Sequence, residues 1–253
     1  MPDDSQLRAP RVSREELTVL LHDASEERLL ALLEDPAFDE SHVVLLLERL
    51  DLPVSVLAAI GEKGKWTASE AVRVRLVRHP RTPRRTAISL LRQLYLFDLV
   101  RVSLLPSTPM EIRRMAEELI ITRIPHVPVG EKLTLARRGS ARVAGAVLAE
   151  GHAEALKLAL ANSFLTESQL LKVLNKPGVP PRVVAAIAQH PKWSLLYNIR
   201  VALIRNSHTP APLLPVFLPH ILLRDLKDLA TLPTLALPVR KYIRKELERR
   251  ASR

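Results

Sequence analysis

Residues 66–83 read WTASEAVRVRLVRHPRTP, and residues 193–210 read WSLLYNIRVALIRNSHTP. The second stretch is the first shifted by 127 positions without a gap. Trp66 falls on Trp193, Arg73 on Arg200, Val74 on Val201, Leu76 on Leu203, Arg78 on Arg205 and Thr82-Pro83 on Thr209-Pro210. The register runs on downstream, where Asp98 meets Asp225, Leu105-Pro106 meets Leu232-Pro233 and Arg113 meets Arg240. Upstream it pairs Leu33 with Leu160, Asp35 with Asn162, Pro53 with Pro180 and Ile60 with Ile187. These matches point to an internal tandem duplication of about 127 residues. Residues 1–12 read as a tail, 13–125 as a first copy, 126–139 as a joining segment and 140–253 as a second copy.

The texture inside each copy is helical. The chain of 253 residues has 7 Gly against 20 Pro. Too few Gly are present for the positive-φ turns of an all-β chain or the phosphate loop of a dinucleotide fold. Short helices need little Gly when each is opened by a polar cap and a Pro. Thr82-Pro83, Thr108-Pro109 and Thr209-Pro210 stand ahead of apolar-periodic segments and read as such starts, with Thr as cap and Pro in the first turn. Capping boxes are expected at Ser13/Glu16, Thr67/Glu70 and Thr108/Glu111. Between them lie one-sided apolar runs such as Val43-Val44-Leu46-Leu47-Leu50 and Leu170-Leu171-Val173-Leu174. The fold class is therefore all-α, with short helices of about three turns.

A smaller rhythm recurs at the corners: His79-Pro80-Arg81-Thr82-Pro83, Leu105-Pro106-Ser107-Thr108-Pro109 and Asn206-Ser207-His208-Thr209-Pro210, with weaker forms at Asp35-Pro36, Asn162 to Thr166 and His190-Pro191. Nested helical repeats of this size are the signature of an α-solenoid, a superhelical stack of short helices. An elongated right-handed one is expected. The texture resembles the leucine-rich-repeat variant and HEAT-like repeat class, most of all from Ala159 to Pro191. The resemblance implies a binding architecture. The variant type carries a Cys-ligated iron–sulfur cluster, and this chain has no Cys, so that cofactor does not carry over.

Charge is uneven. Residues 1–70 carry a net charge of −8 and residues 71–253 carry +19, within a total of +11. Arg outnumbers Lys by 28 to 10, the usage of a GC-rich, bacterial genome and also the better fork for phosphate or carboxylate. The duplication separates two kinds of arginine. Arg73, Arg78, Arg113 and Arg240 stand at positions filled by Arg in both copies and read as structural. Arg75, Arg81, Arg84 and Arg85 fall on Ala202, His208, Ala211 and Pro212, so the fold does not require them. They are the expected binding patch, exposed around the 79–83 corner. Trp66 and Trp193 share one repeat position and are expected in the core. Asp98 and Asp225 are expected to cap helices or to pair with Arg113 and Arg240.

Chemistry is sparse. The sequence holds no G-x-G-x-x-G, P-loop, H-E-x-x-H or G-x-S-x-G motif, and Gly61 to Trp66 reads as a plain turn. No two of its eight His stand at i,i+3 or i,i+4, so no helix-borne metal pair is expected. The longest uncharged stretch, Ser207–Leu223, carries four Pro and falls short of a membrane span. The N-terminus has no apolar signal core, and a cytoplasmic protein is expected. The expected function is a non-enzymatic scaffold, without cofactor or metal, that binds a protein partner on its concave basic surface. The alternative is a HEAT-like solenoid that binds nucleic acid. Behind both stands the resemblance to HEAT-like alkylpurine DNA glycosylases, which would rest on Trp66 and Glu70.

Overall fold

A computed structural model of the chain describes residues 25–233 and 235–252. The described residues form α-helices and short 3-10 turns, with no strand among them. The chain divides into two compact units, Met1–Leu119 and Ile120–Arg253. The tail 1–12, the Ser13/Glu16 capping box and the start of the first copy lie outside the described residues.

The first unit contains α1 (Glu26–Leu32), α2 (Glu40–Leu46), α3 (Val54–Glu62), α4 (Gly64–Thr67), α5 (Glu70–Arg78), α6 (Arg84–Leu91) and α7 (Leu96–Leu104); the division falls within α8 (Met110–Arg123). Helices this short are marginal alone, so each depends on the stripe it buries. Val56, Leu57 and Ile60 of α3 and Val72, Leu76 and Val77 of α5 are almost wholly enclosed. The packing is two-layered. In one layer α1 contacts α3 and α3 contacts α6; in the other α2 contacts α5 and α5 contacts α7.

After a 3-10 turn at Ile124–His126, the second unit contains α9 (Val129–Arg138), α10 (Ala141–Glu150), α11 (Ala153–Leu160), α12 (Glu167–Leu174), α13 (Pro181–Gln189) and α14 (Tyr197–Arg205). Its layers follow the same rule: α9 on α11 on α13, and α10 on α12 on α14. Then come 3-10 turns at Ala211–Leu213 and Leu218–His220 flanking α15 (Leu214–Phe217), followed by α16 (Leu223–Thr231) and α17 (Leu237–Ala251). Shifted by 127 positions, the bounds of α3, α5 and α7 coincide with those of α13, α14 and α16. The counterpart of α6, residues 211–218, is broken into short turns where Pro212 and Pro215 remove backbone donors.

The corner motif has a physical reading. His79 Nε2 lies 2.7 Å from the Arg49 carbonyl, thirty residues back, and the Arg81 N–H reaches His79 Nδ1 at 3.2 Å. Since a carbonyl only accepts, the ring is the neutral Nε2–H tautomer, and burial depresses its pKa below the ordinary histidine value. Asn206 repeats the device: its Nδ2 donates to the Leu174 carbonyl at 3.0 Å and its Oδ1 accepts from the His208 N–H at 3.0 Å. Asn162 donates to the Ala136 and Gly139 carbonyls at 2.8 and 3.0 Å. One side chain thus turns its own corner and closes the C-terminal end of an earlier helix, whose carbonyls have no partner within the helix.

Trp66 and Trp193 are core residues, 2% and 3% exposed. Each carries the preceding lysine over its ring, Lys65 at 4.2 Å and Lys192 at 4.1 Å. The two differ at the indole nitrogen. Trp193 Nε1 donates to the Leu160 carbonyl at 2.8 Å, whereas Trp66 Nε1 is buried without a partner. In the first unit the matching carbonyl, Leu33 O, receives Lys63 Nζ at 3.4 Å.

Three local expectations are corrected. At the Thr-Pro corners Pro83 and Pro210 are themselves the N-cap residues, and α8 likewise begins one residue after Pro109. Thr82 and Thr108 bury their hydroxyls without a hydrogen bond, and Thr209 donates to the Leu203 carbonyl. Pro83 and Pro210 are themselves extended, with ψ 132° and 121°, so each helix starts one residue later and the Thr stands one position too early to cap. The Thr67/Glu70 box gives way to Ser69, whose hydroxyl accepts from the Val72 N–H at 3.4 Å, and Glu111 of the other box pairs with Arg84. Asp98 and Asp225 meet neither Arg113 nor Arg240. Each lies in the first turn of its helix, where Asp98 pairs with Arg101 at 3.3 Å and Asp225 accepts from the Tyr197 hydroxyl. Three of the arginines that recur at the 127-residue offset serve backbone carbonyls instead. Arg73 donates to Thr67 and Ala68, Arg200 to Ser194, and Arg240 to Leu232 and Pro233. Arg113 keeps a buried Nε without a partner.

Candidate functional site: a mixed-charge cleft in the first unit

The first unit carries a cleft of about 770 Å³ along its α2–α5–α7 layer. One face of α5 forms its long wall: Glu70, Ala71, Val74, Arg75 and Arg78 stand at helical spacing on one stripe. Leu47, Glu48 and Leu50, just after α2, form the second wall, and Asp98 and Arg101 of α7 form the third. His79 and Pro80 close the end at the corner. Leu50 is 65% exposed, a large apolar side chain at the rim.

The charges are arranged along α5. At its N-terminal end Glu70 lies beside Asp98. A hydrogen bond to the Asp98 carboxyl, then desolvation and the neighbouring negative charge, hold the Glu70 carboxyl above its usual range. Asp98 is only 7% exposed and bound by Arg101. Toward the C-terminal end Arg75 and Arg78 are half-buried. Arg75 reaches only the Ala71 carbonyl, at 3.3 Å, and Arg78 buries its Nε without a partner. Neither has a carboxylate partner among the described residues. Three arginines and three carboxylates, Glu48, Glu70 and Asp98, thus share one cleft with an apolar floor.

Of the four arginines singled out from the sequence, Arg75 alone lines the cleft. Arg81, Arg84 and Arg85 are exposed, as expected for that corner. Arg81 donates to the Asp51 carbonyl at 2.6 Å, and its charge helps lower the Asp51 carboxyl, behind the stronger hydrogen bond from Arg49. Arg84 pairs with Glu111. The four therefore go to different surroundings, and acid from the N-terminal 70 residues is interleaved with them. Sequence reasoning missed Arg78, Arg101, Glu48 and Leu50. The 70-71-74-75-78 stripe was visible in the sequence; its crossing by Asp98 and Arg101 from the next helix was not. Trp66 packs edge-on against Phe38, with ring centroids 5.9 Å apart, and has no free face for a base.

No known protein family, curated protein or solved structure matches this chain. Among the described residues no three His, Asp or Glu side chains converge as a metal site, and no helix is long and apolar enough to cross a membrane.

Proposed function

We propose that the chain is an α-solenoid-type repeat protein, duplicated over about 127 residues, whose first-unit cleft binds a segment of a protein partner without catalysing a reaction. The matching helix bounds of the two halves and the layered packing within each unit support the architecture. The observation that carries the binding role is the composition of the cleft. Charges of both signs beside exposed Leu50 suit a peptide, which brings both charges and apolar side chains. A polyanion would meet Glu48, Glu70 and Asp98 on the same surface. The buried Trp66 speaks against a base-flipping glycosylase.

Selection of displayed random peptides on the full chain, counter-selected on a Leu50→Asp variant, tests the reading. Enrichment of sequences that the variant no longer binds is expected. Binders indifferent to Leu50→Asp would refute it. One observation favours nucleic acid as a second reading. On α17, Lys241, Arg244 and Lys245 are exposed and, among the described residues, carry no ion pair. A salt-dependent gel shift that a triple Gln variant of these residues abolishes would establish that reading.

A further inference from the structure

We propose that the cleft selects an extended segment of opposite end charges: a carboxylate side chain seated between Arg75 and Arg78, and a lysine or arginine side chain at Glu70 and Asp98. This deepens the protein-binding reading and rests on it. Glu70 and Arg78 are eight positions apart on α5, about 12 Å at the rise of a helix. An extended chain covers that span in about four residues. Between the charges on α5 stand Ala71 and Val74, and Leu47 lines the same cleft, so an apolar side chain fits midway.

Each end of the cleft is incomplete in the same sense. Arg75 and Arg78 line it half-buried and make no ion pair among the described residues, although Glu48 lines the same cleft, and a bidentate carboxylate is the partner a guanidinium matches. Glu70 and Asp98 are adjacent carboxyls; Asp98 pairs with Arg101, and Glu70 has no ion pair among the described residues but feels the charges of Arg73 and Arg101. A second cation would relieve their repulsion. A helix also favours acid at its N-terminal end and base at its C-terminal end, so the dipole of α5 could account for this order. The counterpart helix α14 answers that point. It has the same length and carries Tyr197 in place of Glu70 and Ala202 in place of Arg75. Arg101 is likewise replaced by Asp228. The helix forms without these charges, and they belong to the first unit alone.

Fluorescence anisotropy on the full chain tests the proposal with labelled leucine-centred peptides bearing lysine at one end and aspartate at the other, in both orders. One order is expected to bind. Replacing its aspartate by asparagine, or its lysine by norleucine, weakens it by about tenfold, the scale of one charge-assisted hydrogen bond. Arg75→Ala, the residue of the second unit, should give the same loss with an unchanged thermal melt. Arg75→Glu should abolish binding and restore it for a peptide with lysine replacing aspartate. Failure of both orders to bind at about 1 mM overturns the proposal, as does equal affinity for wild type and Arg75→Ala. Displacement of the peptide by single-stranded oligonucleotide at lower concentration overturns it in favour of nucleic acid. If display-selected peptides depend on Leu50 but ignore Arg75, the charge rule fails and the protein-binding reading stands; if they ignore Leu50 too, both fail.

Discussion

The two tryptophans offer a controlled comparison within one molecule. Trp66→Phe and Trp193→Phe remove the same atoms from sites that are 2% and 3% exposed, each under a lysine. The volume lost is common to both and cancels in the difference. The indole N–H does not cancel. At position 193 it makes a 2.8 Å hydrogen bond, and its loss strands the buried Leu160 carbonyl at the end of α11. Stranding a buried acceptor costs about 1–3 kcal/mol. At position 66 the N–H has no partner, so its removal ends a desolvation penalty instead of creating one. Trp193→Phe should therefore cost about 2 kcal/mol more than Trp66→Phe, or about 30-fold in protection against hydrogen exchange. Because the chain forms two compact units, a single melting transition is the wrong readout. Exchange measured by mass spectrometry on peptides from α4–α5 and α13–α14 reports each site separately. Equal losses, or a larger loss at Trp66, would refute the assignment of the two indole environments.

Other perturbations test other ties. Trp66→Ala and Trp193→Ala should each destabilise their own unit by about 3–5 kcal/mol, read by the same exchange measurement. His79→Asn, the residue used at position 206, should preserve stability at neutral pH. The folded pKa of His79 is depressed by burial, so its contribution is present above the ordinary value of 6.5 and lost as pH falls through the lower folded value; hydrogen exchange of α5 peptides below pH 6.5 should show the wild type losing protection that the Asn variant keeps. Glu246 accepts from Arg249 at 2.8 and 2.7 Å and from Arg250 at 2.8 Å, which lowers its carboxyl from 4.5 to about 2. Its stabilisation is full above pH 4.5 and lost as pH falls toward about 2; Glu246→Gln should weaken exchange protection of α17 at neutral pH by about 2 kcal/mol, with the gap to wild type closing through that window. Gly151 ends α10 at φ 74° with Val183 Cγ2 3.1 Å from where a Cβ would stand, and Gly151→Ala should cost about 1–2 kcal/mol in urea titrations.

Much of the fold was legible because residues recur at an offset of 127 positions. One copy alone would leave Arg73 an ambiguous surface cation. Its recurrence as Arg200 marks it as structural, and both side chains close carbonyls six residues earlier. The same comparison predicted buried positions for both tryptophans. What stayed hidden was partner choice within that frame. From sequence, Asp98 and Arg113 recur together and invite pairing, but recurrence fixes only that both are kept. The side chain of Asp98 meets α5, its neighbour across the layer, at Glu70, and Arg101 on its own helix. The Thr-Pro caps failed for a local reason, since Pro83 and Pro210 stay extended and take the N-cap position themselves.

The cleft was half visible for a reason that bears on its function. A copy-specific arginine can be found by alignment of the two halves, and Arg75 was found so. From sequence Arg78 reads as structural because position 205 also carries Arg, although Arg205 is exposed on α14 while Arg78 is half-buried in the cleft. The same residue type thus has two environments, decided by what the neighbouring helices place opposite it. In the first unit those are Glu48, Glu70, Asp98 and Arg101; the second has Asn175, Tyr197, Asp225 and Asp228 at the matching positions. Tyr197 closes onto Asp225 with its hydroxyl, so that pair is satisfied from within. Glu70 and Asp98, two carboxyls, cannot both be satisfied by each other when ionised. Tyr197 thus gives Asp225 an internal partner that Glu70 does not give Asp98, and on the proposed reading an external cation would fill that place in the first unit.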